Sequence, residues 1–166
     1  MLVVALAWGP RAAWLFGWAG LATATAKMAD IVPRPRPTDD LSWGVHLPGY
    51  GGFPSGHVVY ITVLAMTLVW LSQRYGAGAR AHRTLALGAT VVVLAIGPAR
   101  AITNDHWFAD IVAGYLLAAW YLVGGRLAMP VLEGAYDLLN RLVAASPVAA
   151  RLRRVGERRQ RPALPG

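Results

Sequence analysis

Four stretches of the chain are long, apolar and almost free of formal charge: residues 12–26, 57–73, 84–99 and 107–125. Such runs suggest membrane spans. The plainer alternative is a soluble bundle with fully buried helices, but four such helices in 166 residues leave few polar faces to cover them. A helix needs roughly 20 residues to cross about 30 Å of hydrocarbon, within a range of about 17–25. Two of the runs meet that length and two fall slightly short. Arg11 and Lys27 flank the first run and extend it, because long basic side chains reach along apolar surface to the headgroups. Trp14, Trp18, Trp70, Trp107 and Trp120 lie mostly towards the ends of the runs, where interfacial anchors sit. The pattern predicts an all-α integral membrane helix bundle with at least four transmembrane helices.

The intervening segments differ in kind. Residues 1–8 are apolar, too short to span, and broken by Gly9-Pro10-Arg11. They read as the end of a helix that begins earlier, or as a short interfacial piece. Segment 27–56 holds Pro33, Pro35, Pro37, Pro48 and Pro54 with Gly44, Gly49, Gly51 and Gly52. That density of breakers marks a structured loop, and loops of such length are commonly functional. Beyond Arg126, the residues Val131, Leu132, Ala135, Leu138, Leu139, Leu142 and Val143 recur near helical spacing. They predict an amphipathic helix over 126–150 lying on the membrane surface. Residues 151–166 read as a basic, disordered tail. The expected organisation is therefore a membrane core over 1–125, the interfacial helix, and the tail.

Composition sharpens this. The chain has 166 residues, 56% hydrophobic and only 14% charged, which excludes a disordered protein. It has no cysteine, so disulfides, thiolate metal sites and Cys nucleophiles are excluded. The net charge of +8 fits either a nucleic-acid footprint or the cytoplasmic excess of a membrane protein. Its distribution decides. Taking loops in alternation, one side holds 12 basic residues (Arg11, Arg74, Arg80, Arg83 and eight Arg from residue 126 onward) against Glu133, Asp137 and Glu157. The other side holds Lys27, Arg34, Arg36 and Arg100 against Asp30, Asp39, Asp40 and Asp105. The asymmetry predicts a multi-pass protein of the plasma membrane with a cytoplasmic tail. Loop 27–56 and turn 100–106 then share the outer face. The tail arginines lack interleaved aromatics, so a single-strand nucleic-acid platform is not expected. Attraction to anionic lipids explains them.

The outer segments carry the site-like chemistry. Lys27, Arg34 and Arg100 supply positive charge, and arginine forks match phosphate oxygens. Ser55 and Gly56 stand where a helix begins, a site suited to anions. His106 and Asp110 are four residues apart and share a helix face. A carboxylate on one ring nitrogen fixes the tautomer and makes the other a nucleophile or base. Asp110 lies in an apolar run, where an acid is a functional candidate. His57 follows the anion-binding turn, placed to protonate a leaving oxygen. Each feature has a plainer reading: snorkelling cations, an ordinary turn and N-cap, or a buried His–Asp pair. No further cluster of acids and histidines supports a metal site. His46 and His82 read as surface residues without such partners, and Asp105, next to His106, as a solvated loop acid or a residue that tunes the site.

Taken together, Lys27-x6-Arg34-Pro35, Pro54-Ser55-Gly56-His57 and Arg100-x5-His106-x3-Asp110 are an ordered set. It resembles the three-part signature of the type 2 phosphatidic acid phosphatase family, in the superfamily of membrane lipid phosphatases and vanadium haloperoxidases. The resemblance covers roughly residues 12–125. It implies a metal-independent lipid phosphatase without cofactor, acting on a polyprenyl diphosphate, phosphatidylglycerol phosphate or phosphatidic acid. It implies that His106 attacks phosphorus, Asp110 orients it, and His57 protonates the leaving group. Lys27, Arg34, Ser55, Gly56 and Arg100 would hold the phosphoryl oxygens. A phosphotransferase using the same residues and a non-catalytic lipid-binding pseudoenzyme are the alternatives. Two departures stand out. Ala99 occupies the position where the family has Ser, leaving Thr103, Asn104 or a backbone group to replace its hydrogen bond. The family's N-terminal helices are also not evident.

Overall fold

The structure, a computed structural model, describes residues 1–24, 37 and 52–147. The expectations placed on Lys27, Arg34, most of loop 27–56 and the basic tail lie outside the described residues. Among the described residues all regular structure is helical. The elements in chain order are α1 (Leu2–Trp8), α2 (Pro10–Ala24), α3 (Gly56–Arg74), α4 (Ala79–Ile102) and α5 (Phe108–Ala145).

Local chemistry sets the boundaries. Helix α1 ends at Gly9, whose φ of 90° an L side chain rarely adopts. Pro10 then opens α2, at a position where its missing N–H leaves no bond unmade. Helices α3 and α4 are separated by residues 75–78, with Gly76 at positive φ. Helices α4 and α5 are separated by residues 103–107, where Asn104 takes φ 55°, a conformation its short polar side chain tolerates.

Among the described residues, three helices are long and apolar enough to cross a membrane: α3, α4 and α5. The first predicted span forms α2, which has 15 residues. The fourth predicted span does not stop at 125, since α5 continues through Pro130 to Ala145. The chain divides into two compact units, Met1–Ala128 and Met129–Gly166. The second holds the end of α5, with Leu138, Leu139, Leu142 and Val143 exposed.

Within the first unit α3 is central. Helices α2 and α4 pack on it, and α1 packs on α2. Val59 and Val63 of α3 meet Ala118 of α5, with Ala19, Leu117, Tyr121 and Leu122 around them. The outward faces are apolar too: Leu87, Val91 and Leu94 on α4, and Leu116, Trp120 and Val123 on α5, are all exposed. In water such faces would be unfavourable, whereas lipid chains match them.

At one end of the α3–α4 pair, the structure gives His82, read from the sequence as a surface residue, a hydrogen-bond partner. The Ser72 hydroxyl donates to the Val69 carbonyl at 2.7 Å, so it accepts from His82 Nδ1 at 2.8 Å. Ser72 is fully buried, and the bond ties the end of α3 to the start of α4. The opposite end of the pair carries the site.

Candidate functional site

The short α3–α4 and α4–α5 connections alternate helix direction. The start of α3, the end of α4 and the start of α5 therefore lie together. A main-chain bond joins two of them directly: Ser55 N–H donates to the Asp110 carbonyl at 3.0 Å. Gly114 lets this approach happen. A Cβ there would stand 3.0 Å from Val58 Cβ and 3.1 Å from the Ser55 carbonyl oxygen. Pro54-Ser55-Gly56-His57 and His106-x3-Asp110, separated by about 50 residues in sequence, are thus adjacent in the fold.

His106 is buried and Asp110 fully so. The His106 Nδ1 lies 2.7 Å from the carbonyl oxygen of Gly52. A carbonyl oxygen only accepts, so Nδ1 carries the proton and the lone pair resides on Nε2. The Asp110 carboxylate is 3.8 Å from Nδ1, beyond hydrogen-bond reach. Its Oδ2 instead accepts from the Trp107 N–H at 2.9 Å. Asp110 is the third residue of α5, and this backward bond to the residue before the helix is half of a capping box. The sequence-based expectation that Asp110 fixes the tautomer is therefore divided in the fold. Gly52 makes the tautomer-setting bond, while Asp110 caps the helix and places negative charge beside the ring.

Ser55 is the N-cap of α3 by position, but its hydroxyl makes no cap bond. The side chain is fully buried, and its Oγ has no hydrogen-bond partner among the described residues. Burying an unmade hydroxyl costs about 1–3 kcal/mol, so the group is held ready for an acceptor at this point. Gly56, the first residue of α3, presents an amide without an intrahelical partner by helix geometry. His57 follows it and is exposed.

Arg100 sits in the last turn of α4. One guanidinium nitrogen pairs with Asp105 Oδ2 at 3.1 Å, with side chains 20% and 30% exposed. Its Nε is buried and, among the described residues, unbonded. Of the two readings of Asp105, the ion pair favours the second: it is the counter-ion of Arg100, directly before His106 in sequence. Thr103, one candidate to replace the family serine, is engaged locally. Its hydroxyl lies 3.0 Å from the Ala99 carbonyl and also contacts the Asp105 carboxylate.

Of the eight residues singled out from the sequence, six are described: His57, Ser55, Gly56, Arg100, His106 and Asp110. Ser55 joins Asp110 through the backbone, His106 lies beside Asp110, and Arg100 pairs with Asp105 across the turn that leads to His106. Lys27 and Arg34 lie outside the described residues. Two further participants stand outside those eight. Gly52 acts through its backbone carbonyl, and Asp105 becomes a partner of Arg100 only through the turn between them.

Comparison with known families matches residues 11–131 to the model described as PAP2 superfamily. Comparisons with curated proteins and with solved structures found no match.

Proposed function

The chain belongs to the PAP2 superfamily, and on that premise we propose that it is an integral membrane phosphatase hydrolysing a lipid phosphate through a phosphohistidine. The observation that carries this reading is the His106 imidazole. It is buried, fixed by the Gly52 carbonyl with its lone pair on Nε2, and flanked by a carboxylate.

In the first step His106 Nε2 forms a bond to phosphorus as the bond to the leaving oxygen breaks. That oxygen takes a proton from His57. Asp110, 3.8 Å away, stabilises the positive charge that develops on the ring. In the second step a water oxygen attacks phosphorus, the P–N bond breaks, and His57 accepts the water's proton. Phosphoryl transfer spreads negative charge over three equatorial oxygens. Arg100, Lys27, Arg34, the Ser55 hydroxyl and the Gly56 amide supply the compensating donors. The positive charge comes from the protein, and the reaction is metal-independent on this reading.

The substrate class follows from position. A site at helix ends, in a bundle with apolar outer faces, matches a phosphate at headgroup depth with its chain in lipid. A polyprenyl diphosphate, phosphatidylglycerol phosphate and phosphatidic acid all have that form. The charge asymmetry supports a plasma-membrane orientation with this face outward and the tail cytoplasmic.

The test is phosphate release by detergent-purified protein from a panel of these lipids, with and without chelator. Release is expected to persist with chelator and to vanish in His106→Ala. Loss of release on chelation, or full release by His106→Ala, would overturn the mechanism.

A further inference from the structure

Tyr115 of α5 reaches into the backbone of α4. In a regular helix the Gly97 N–H donates to the carbonyl four residues earlier, that of Val93. Here Gly97 N–H donates to the Tyr115 hydroxyl oxygen at 3.1 Å. The same hydroxyl donates to the Val93 carbonyl. One phenol therefore bridges both ends of a single helical rung, and a side chain entering the ladder is a recognised cause of helix bending. The next residue is Pro98, inside α4. It has no N–H, so the Leu94 carbonyl lacks its helical donor. One rung is lost at Pro98, and the neighbouring helix holds both groups of the rung beside it. Gly97 makes the room: a Cβ there would lie 2.7 Å from the Tyr115 oxygen and 3.0 Å from Ile111 Cγ2.

The place of this bridge matters. Arg100 lies three residues beyond Gly97, in the turn of α4 that follows the Tyr115 bridge and Pro98. Tyr115 lies on α5, which begins just after His106 and carries Asp110 in its first turn. The bridge thus sets the helix bearing a phosphate-binding cation against the helix at whose start the nucleophile stands.

We propose that Tyr115 is a positioning residue for phosphoryl binding, acting through Gly97 on the last turn of α4 and hence on Arg100. The inference rests on the phosphatase reading of the site. Tyr115 touches no reacting atom. Its hydroxyl works because it is donor and acceptor at once, filling both halves of the rung. Phenylalanine keeps the ring and loses both bonds, so α4 either closes the rung directly or leaves it open. In both cases the turn bearing Arg100 changes direction.

The test is a double-mutant cycle on full-length protein in detergent. It is read by kcat/KM for a short-chain lipid phosphate and by calorimetric binding of inorganic phosphate. Tyr115→Phe is expected to lower kcat/KM roughly 10- to 100-fold, the scale of a displacement of about 1 Å in a positioned group. Gly97→Ala, which pushes on the hydroxyl from the other side, is expected to do the same. Circular dichroism should show helix content unchanged in both. In an Arg100→Ala background, Tyr115→Phe should cost nothing further, because the residue it positions is gone. Phosphate binding should weaken in the same pattern.

A Tyr115→Phe enzyme as efficient as wild type overturns the inference. So does a loss that multiplies fully with that of Arg100→Ala, since a general packing defect would act in either background. An active wild type with an indifferent Tyr115→Phe removes only this inference. A wild type that neither binds phosphate nor releases it from any lipid removes the functional reading as well.

Discussion

The Nδ1 of His106 stands 2.7 Å from the main-chain carbonyl oxygen of Gly52. An acceptor that cannot donate holds the ring in one tautomer, whatever the protonation of nearby carboxylates. The neutral ring is therefore expected to be the Nδ1–H form. Nitrogen NMR of histidine-labelled protein in detergent should show that form for His106, and a dominant Nε2–H signal would remove the nucleophile from the proposed first step.

Asp110 has two separable duties. Its Oδ2 accepts the Trp107 N–H, and its charge lies 3.8 Å from the His106 ring. Asparagine keeps an acceptor and loses the charge. Asp110→Asn should retain most of the stability while kcat falls roughly 10²- to 10⁴-fold. Asp110→Ala should lose activity comparably and also about 1 kcal/mol of stability with the cap. Thermal melts beside kinetics separate the effects; equal stability of the two variants would mean the cap bond contributes nothing.

The Ser55 hydroxyl is buried without a partner among the described residues. Removing an unmade polar group relieves its desolvation, so Ser55→Ala should be as stable as wild type, or more stable by up to about 1 kcal/mol. Substrate binding should suffer, with KM rising roughly tenfold for loss of one bond to a charged acceptor. An unchanged KM would show that the hydroxyl meets no substrate oxygen.

Asp105 neutralises Arg100 at 3.1 Å. A phosphate arriving at Arg100 competes with this carboxylate. Asp105→Asn should therefore tighten inhibition by inorganic phosphate by about twofold to fivefold, the range expected of a partly exposed pair. Weaker inhibition would mean that Asp105 instead holds Arg100 in its binding pose.

Gly114 lies against backbone. Its added Cβ would meet the Ser55 carbonyl oxygen at 3.1 Å and Val58 Cβ at 3.0 Å. Neither can swing aside as a flexible side chain would. Gly114→Ala should cost about 1–3 kcal/mol by overpacking, despite alanine's better helix propensity. A calorimetric melt with no decrease would show that the α3–α5 contact yields easily.

Much of the molecule was legible from the chain alone. Hydropathy runs and breakers located α2, α3, α4 and the start of α5 to within several residues, because a helix in lipid must satisfy its own backbone and display apolar side chains on every face, whereas the run ending at 125 missed the continuation of α5 to Ala145. The ordered motifs singled out Ser55, Gly56, His57, Arg100, His106 and Asp110, because phosphoryl chemistry demands cations, a nucleophile and a proton donor whatever the scaffold. What the chain could not express were contacts made by the backbone or across helices. Gly52 acts through a carbonyl that every residue possesses. Asp105 read as a loop acid that could tune the site, and only the folded turn shows its partner to be Arg100. Tyr115 looked like one more aromatic in an apolar run, and only the approach of α4 at Gly97 gives its hydroxyl two backbone partners. Residue type and spacing determined which groups were available. The packing of helix ends decided which of them touch, because hydrogen bonds depend on tenths of an ångström that no local pattern encodes.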